Sequence, residues 1–87
     1  MMITELIPNV DARKSFYHKA VVHSDGNNSK LYSYETLVAS HENDKTTVHL
    51  DSEGEFWSAT TWRHVREYLY GIHGKVYTKK EATANFA

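Results

Sequence analysis

The segment at residues 56–74 constrains the fold more than any other part of the chain, because its pattern defines both a helix and the face that this helix must bury. Four apolar residues in it recur at spacings of three, four and three, as they do on one side of an amphipathic helix: Trp62, Val65, Leu69 and Ile72. Burial of these side chains would contribute on the order of 6 to 12 kcal/mol before the entropy of ordering is subtracted. The fold therefore depends on what this face packs against.

Both ends of this helix are also marked in the sequence. Ser58 precedes the first turn as the expected N-cap, with Thr60 and Thr61 as alternatives. Gly74 follows the last turn, where a left-handed C-cap residue is expected. The pattern predicts a helix over residues 59–73.

The chain before the helix has the pattern of an antiparallel sheet. Three segments alternate apolar and polar residues or are rich in β-branched and aromatic residues: 15–23, 31–40 and 46–50. The middle segment carries apolar groups on both faces, so we expect it in the centre of the sheet. The turn at residues 24–29 contains Asp-Gly and Asn-Asn pairs and predicts a hairpin.

The ends of the chain complete the predicted architecture. Thr78 and Glu81 have the spacing of a capping box, which predicts a short C-terminal helix. Residues 1–14, which Pro8 interrupts, are interpreted as a flexible or loosely packed N-terminal arm. Residues 15–87 are predicted to form a single α+β domain. It would be an antiparallel meander of three strands, with four as the alternative, packed against one amphipathic helix and a short C-terminal helix.

Composition narrows the classes of function. Ten Lys and Arg nearly balance eleven Asp and Glu, so the overall charge does not favour attraction to nucleic acid or to an anionic membrane. Cysteine is absent, which excludes disulfides and thiolate zinc sites. No segment has the apolar length of a membrane span and the first residues lack a secretory pattern, so we expect a cytoplasmic protein with no membrane association. Six Tyr, three Phe and two Trp favour a core and a binding surface rich in rings.

The chain shows no catalytic or metal-binding pattern. Its six histidines lack the spacing of a metal motif, and we interpret them as surface residues that titrate near neutrality. Thr60 and His64 are neighbours on the predicted helix, but helix capping explains the hydroxyl groups and no acidic residue is placed to orient the imidazole. We therefore predict a protein that is not an enzyme and that holds no metal or cofactor.

Two surfaces are candidates for binding. The predicted exposed side of the helix, continued into the residues that follow it, is basic and aromatic: Arg63, Arg66, Tyr70, Lys75, Lys79 and Lys80. An ion pair between Arg63 and Glu67 is expected there. Tyr32 and Tyr34 share a strand face, as an aromatic platform or as part of the half-buried face under the helix. Because Arg and Tyr are enriched in hot spots, a protein partner is the leading hypothesis, and nucleic acid is the alternative.

Three blocks of the chain resemble an uncharacterised family of small bacterial and bacteriophage proteins. The blocks read KSFYHKA (residues 14–20), LYSYETLVA (31–39) and WSATTWRHVREYL (57–69). The family form is K-S-F-Y-G-K-A, then L-Y-S-Y-x-T-x-V-A, then W-S-x-T-T-x-R-H-[IV]-x-E-F-L. The third block is the most specific. His18 stands where the family has Gly, and Tyr68 stands where it has Phe.

The resemblance implies an accessory protein encoded by a phage or mobile element, or by the host itself, and it transfers no catalytic residue. If a phage encodes the protein, its expected location is the cytoplasm of the host cell. Phage proteins of this size often bind and block a host protein, including components of CRISPR defence. We therefore expect a non-enzymatic module that binds a host protein, with inhibition of a CRISPR or other defence component, as by an anti-CRISPR protein, as one form of this role. A homodimer formed through a free edge of residues 15–23 is also considered.

Overall fold

The computed structural model describes the whole chain, from Met1 to Ala87, and contains five strands followed by two helices. Its elements are β1 (Met2–Glu5), β2 (Ala20–Asp25), β3 (Asn28–Ser33), β4 (Thr36–Glu42), β5 (Lys45–Val48), α1 (Ala59–His73) and α2 (Lys79–Phe86). Neighbouring strands are all antiparallel and lie in chain order, so the sheet is a five-stranded meander. The predicted α+β class is confirmed, whereas the predicted number of strands was too low.

One of the additional strands lies in the segment that was predicted as a loose arm. β1 pairs with β2 along its whole length, and a strand of only four residues is too short for its alternation to be recognised in the sequence. How mobile residues 1–14 are in solution stays a prediction. Because β2 lies between β1 and β3, the segment 15–23 offers no free edge, and the dimer considered through that edge is not available.

The other additional strand arises because residues 31–40 form a hairpin rather than one strand. Ser33 pairs with Thr36 across a two-residue turn at Tyr34 and Glu35, whose φ angles are 50° and 68°. Turns of this kind normally contain Asn, Asp or Gly, so Tyr and Glu gave no turn signal.

α1 begins and ends where the sequence predicts, and α2 begins at the predicted capping box. The Ser58 hydroxyl accepts the backbone N–H of Thr61 at 3.0 Å, and Gly74 has the left-handed φ of 70° that ends α1. Thr78 and Glu81 form the predicted capping box of α2. Neither helix combines the length and the apolar content that a membrane-spanning helix requires.

The core lies between the sheet and the helices. The predicted helix face is confirmed, since Trp62, Val65 and Leu69 are buried and Ile72 packs against them. α1 packs on β3 and β4, and α2 packs beside β5. The opposite side of the sheet carries no helix and is called the open face; half-buried side chains on it are Val21, His23, Tyr32 and Leu37.

Candidate functional site

The predicted basic face of α1 has a partner within the chain. Arg66 Nη2 lies 3.1 Å and Arg63 Nε 3.9 Å from Oδ2 of Asp11, whose carboxylate is only 4% exposed. The backbone N–H of Arg13, which donates to Oδ1 at 2.9 Å, and the two nearby guanidinium groups hold the pKa of Asp11 below its usual range. These arginines therefore fasten the N-terminal segment to α1, and whether they also bind a partner stays a prediction.

Glu67 makes a second attachment to the same segment, and the predicted ion pair with Arg63 is wrong. The Glu67 side chain is 1% exposed, and its Oε1 accepts the backbone N–H groups of three consecutive residues, Asn9 at 2.7 Å, Val10, and Asp11 at 2.8 Å. One carboxylate oxygen thus gathers three amide dipoles, as in an anion-binding nest. The residue that the sequence placed on a solvated face is a tie between α1 and the N-terminal loop.

A buried polar network joins α1 to β3 at the start of the helix. His64 Nδ1 lies 2.7 Å from Ser33 Oγ, which also lies 3.2 Å from Thr61 Oγ1, and the network ends at the Ser58 cap. The interpretation of His64 as a surface residue is wrong: it is 1% exposed, and Phe16 packs edge-on against its ring at 4.5 Å. Burial, together with the charge of the nearby Arg13, lowers the pKa of His64 to about 4.

The Ser33–His64 pair has the distance of a nucleophile and its base, but its setting does not resemble an active site. Both side chains are buried, and His64 Nε2 has no hydrogen-bond partner that could orient the ring. The hydrogen bonds therefore connect α1 to the sheet. That the protein is not an enzyme stays a prediction.

The structure brings together Tyr32, on the open face, and Tyr34, in the turn between β3 and β4. They line a depression of about 530 Å³, called here the tyrosine cleft, with five other residues: His18, Lys19, Val21, His23 and Glu35. The Tyr32 ring lies 4.6 Å from that of His23, and Tyr34 is 51% exposed. Tyr32 therefore belongs to an accessible aromatic surface, whereas Tyr34 lines the same cleft and also faces the helix, with its ring 5.8 Å from that of the buried His64.

Two tight turns with unusual residues border the tyrosine cleft. Tyr17 and His18 have φ angles of 52° and 64°, and Tyr34 and Glu35 have φ angles of 50° and 68°. Left-handed backbone costs a residue other than Gly, Asn or Asp roughly 1 kcal/mol. The turns are joined where the Tyr34 N–H donates to the Lys19 carbonyl at 2.9 Å. Sequence reasoning missed this arrangement because neither turn contains a typical turn residue.

The remaining candidate residues lie on the helical side of the molecule. Lys75 pairs with Glu81 at 3.2 Å and lies over the ring of Tyr77. Lys79 and Lys80 are exposed on α2 beside the residue 54–56 turn, and Tyr70 of the predicted set is half-buried on α1. The structure does not bring these residues to the surface that carries Tyr32 and Tyr34, and a binding role for them stays a prediction.

No group of three or more His, Asp or Glu side chains lies in position to hold a metal ion.

Comparisons with known proteins place the chain in a family but do not supply a function. No curated protein and no solved structure matched the chain. A model described as a family of unknown function, DUF8033, matches residues 4–85, which include all three sequence blocks and every residue of the tyrosine cleft. The chain therefore belongs to DUF8033, a family of unknown function.

Proposed function

We propose that the protein is a non-enzymatic interaction module that binds a protein partner through the tyrosine cleft and the open face around it. The observation that carries this proposal is the placement of two exposed rings on left-handed backbone: Tyr34, at 51% exposure, lines the cleft, and Tyr17, at 72%, lies in the turn that borders it. Such positions cost conformational energy, and packing recovers only part of it, because Tyr17 is mostly exposed and Tyr34 stays half exposed although its ring lies 5.8 Å from that of His64. Contact with a partner would bury these rings, and Tyr is a frequent hot-spot residue at protein interfaces.

The charges around the tyrosine cleft favour a protein over a polyanion. Lys19 and Glu35 both lie at the cleft, so charges of opposite sign border it. Lys30 of β3 is paired with Glu42 of β4 at 3.8 Å, and therefore adds little unpaired positive charge. A surface with aromatic residues at its centre and mixed charges at its rim resembles a protein interface.

The resemblance to small bacterial and bacteriophage proteins supports an accessory role in which the partner is a host protein, with inhibition of a defence component as one form of that role. We place the contact at the tyrosine cleft rather than on α1, because Arg63 and Arg66 already contact Asp11. A double alanine variant of these arginines would disturb the fold as well as the surface, so it cannot separate binding from stability.

An affinity purification from cells of the native host tests the proposal. The wild-type chain is compared with a Tyr32→Ser/Tyr34→Asn variant, and with Val76→Ser as the matched control. Val76 is 51% exposed, like Tyr34, but it follows α1 instead of lying at the cleft. A specific partner should be retained by the wild type and the control, and its purified form should bind the cleft variant at least tenfold more weakly. Equal retention by all three proteins would contradict the proposal.

Binding of single-stranded nucleic acid is the second candidate. The paired rings of His23 and Tyr32, with Tyr34 and Lys19 nearby, could stack a base and contact its phosphate. Fluorescence anisotropy with a labelled oligothymidylate tests this function. Affinity that falls steeply with salt, and that the cleft variant lacks, would support it, whereas no binding at low salt would remove it.

A further inference from the structure

The two edges of the sheet are protected very differently. β5 forms one edge, begins with Lys45 and packs beside α2. β1 forms the other edge and contains neither Lys nor Pro, and its first three residues, Met2 to Thr4, are exposed. Met2 and Ile3 are 67% and 62% exposed. An apolar edge without such protection is a template for pairing with another strand.

The direction of the free backbone groups follows from one hydrogen bond. The N–H of Leu6, the residue after β1, donates to the Ala20 carbonyl at 2.9 Å. Along an antiparallel strand, alternate residues direct both backbone groups to the same neighbour. Met2 and Thr4 therefore face β2, and the N–H and C=O groups of Ile3 point to the free edge.

We propose that β1 pairs with β1 of a second copy of this chain about a two-fold axis, so that two five-stranded sheets become one continuous sheet. Residues opposite each other in such a sheet lie on the same face. A register with Ile3 opposite Ile3 satisfies this condition. In it, each Ile3 N–H donates to the Ile3 carbonyl of the other copy, and the two exposed side chains pack together on the open face.

The charge on β1 supports a second copy of this chain as the strand that pairs with it. It also supports the Ile3 register over the neighbouring register. Glu5 is the only charged residue of β1, and its carboxylate is engaged within its own chain, where it accepts the His18 N–H at 2.9 Å and lies 3.4 Å from His18 Nδ1. The Ile3 register places Glu5 opposite Met1, so like charges do not meet. The alternative register, centred on Thr4, would place Ile3 against Glu5 and lose the apolar contact.

This pairing would change how the proposed binding surface is presented, but the pairing itself does not depend on the proposed function. A two-fold axis perpendicular to the sheet keeps both open faces on the same side, so the dimer would present two tyrosine clefts to one partner surface. The interface uses β1 only, and the cleft residues remain free.

Analytical ultracentrifugation of the intact chain tests the pairing. The average mass should rise towards that of two chains between about 10 µM and 1 mM, since a single strand pair is smaller than a standard interface. Ile3→Lys, which places two cations opposite each other, should weaken association at least tenfold. Ile7→Lys is the matched control, because Ile7 is 53% exposed but lies outside β1. A chain that remains monomeric throughout, or equal loss in both variants, would overturn the proposal.

Disulfide trapping gives an independent measurement, because the chain contains no cysteine of its own. The Cα atoms of a hydrogen-bonded antiparallel pair are about 5.5 Å apart, which a disulfide can span. Mild oxidation of Ile3→Cys should give a covalent dimer, and Ile7→Cys treated identically should stay largely monomeric. Equal cross-linking of the two variants would overturn the register. If β1 pairs only with a strand of another protein, both measurements show a monomer and the proposal fails.

Discussion

Two buried polar side chains, Glu67 and His64, determine how α1 is attached to the rest of the molecule. Neither looks different from a surface residue in the sequence, because a helical period shows only which face a residue shares. Glu67 is buried because three amide groups of the N-terminal loop compensate its carboxylate, and His64 because Ser33 accepts or donates a hydrogen bond to its ring. Both partners are distant in the chain, so the sequence pattern could not reveal them.

At Glu67 we expect the effect of a substitution to depend on whether an acceptor remains. Glu67→Ala leaves three amide groups of the N-terminal loop without their acceptor and should lower the free energy of unfolding by about 2 to 4 kcal/mol. Glu67→Gln keeps an oxygen in place and should cost less than half as much. Urea denaturation of the two variants measures the difference, and hydrogen exchange at residues 9–11 should accelerate most in the alanine variant. Equal losses would show that the hydrogen bonds do not matter.

His64 should make the protein less stable in mild acid. Its pKa is about 4 in the folded protein, against an ordinary value of 6.5, so between these values the unfolded chain binds the proton more readily. Stability from this group is therefore fully present above pH 6.5 and lost as the pH falls towards 4, by roughly 2 to 3 kcal/mol. Urea denaturation across this range measures the slope, which His64→Gln should greatly reduce.

The control for this slope is His73→Gln. Desolvation of its ring, together with the charge of His41, also lowers the pKa of His73, so His73 adds a contribution of the same sign. The His73 variant should nevertheless keep the part of the slope that belongs to His64. A slope that is the same in the wild type and in His64→Gln would contradict the assignment.

At the scale of elements, the bounds of α1 and the start of α2 were predicted to the residue, and the bounds of the strands were not. Ser58 and Gly74 mark α1 because capping chemistry is local and each end requires a particular residue type. The Tyr34–Glu35 turn has no such mark, since tertiary structure holds its two residues in a conformation that they rarely adopt. The tyrosine cleft was therefore only half predictable: Tyr32 and Tyr34 were identified, whereas the turns that position them appeared only in the structure.

One of these turns should be improved by glycine. His18 has a φ of 64° and its side chain is 84% exposed, so His18→Gly removes backbone strain and loses little packing. Its backbone N–H can still donate to Glu5. We expect a gain of about 0.5 to 1 kcal/mol in a thermal or urea melt. Thr36→Gly, at an exposed strand position without positive φ, should lower the stability by a similar amount. A loss of stability in both variants would show that the backbone at His18 is not strained.

At the scale of the whole molecule, the three sequence blocks meet around one point. Phe16 from the first block, Ser33 from the second and Thr61 from the third surround or bond to His64 and its network. Several residues of the three blocks are therefore required to join the sheet to α1. Their presence does not by itself indicate a binding site. Tyr34 also lies beside His64, with the two rings 5.8 Å apart, yet it stays 51% exposed at the tyrosine cleft. This exposed part has no role in joining the sheet to α1, which is why we place binding there.

Because the molecule has a single layer of core between the sheet and its helices, its stability should depend on a few apolar side chains of α1. Leu69 is fully buried in the core cluster, whereas Ile72, one turn later on the same face, is only partly buried. Leu69→Ala should cost about 2 to 5 kcal/mol, a large part of the stability of a small domain, so the variant should be largely unfolded or melt far below the wild type. Ile72→Ala should cost clearly less, since its site opens to solvent and leaves no closed cavity. Circular dichroism melts of both variants measure the difference. A Leu69→Ala shift of only a degree or two, or one no larger than that of Ile72→Ala, would mean that this helix face does not hold the two layers together.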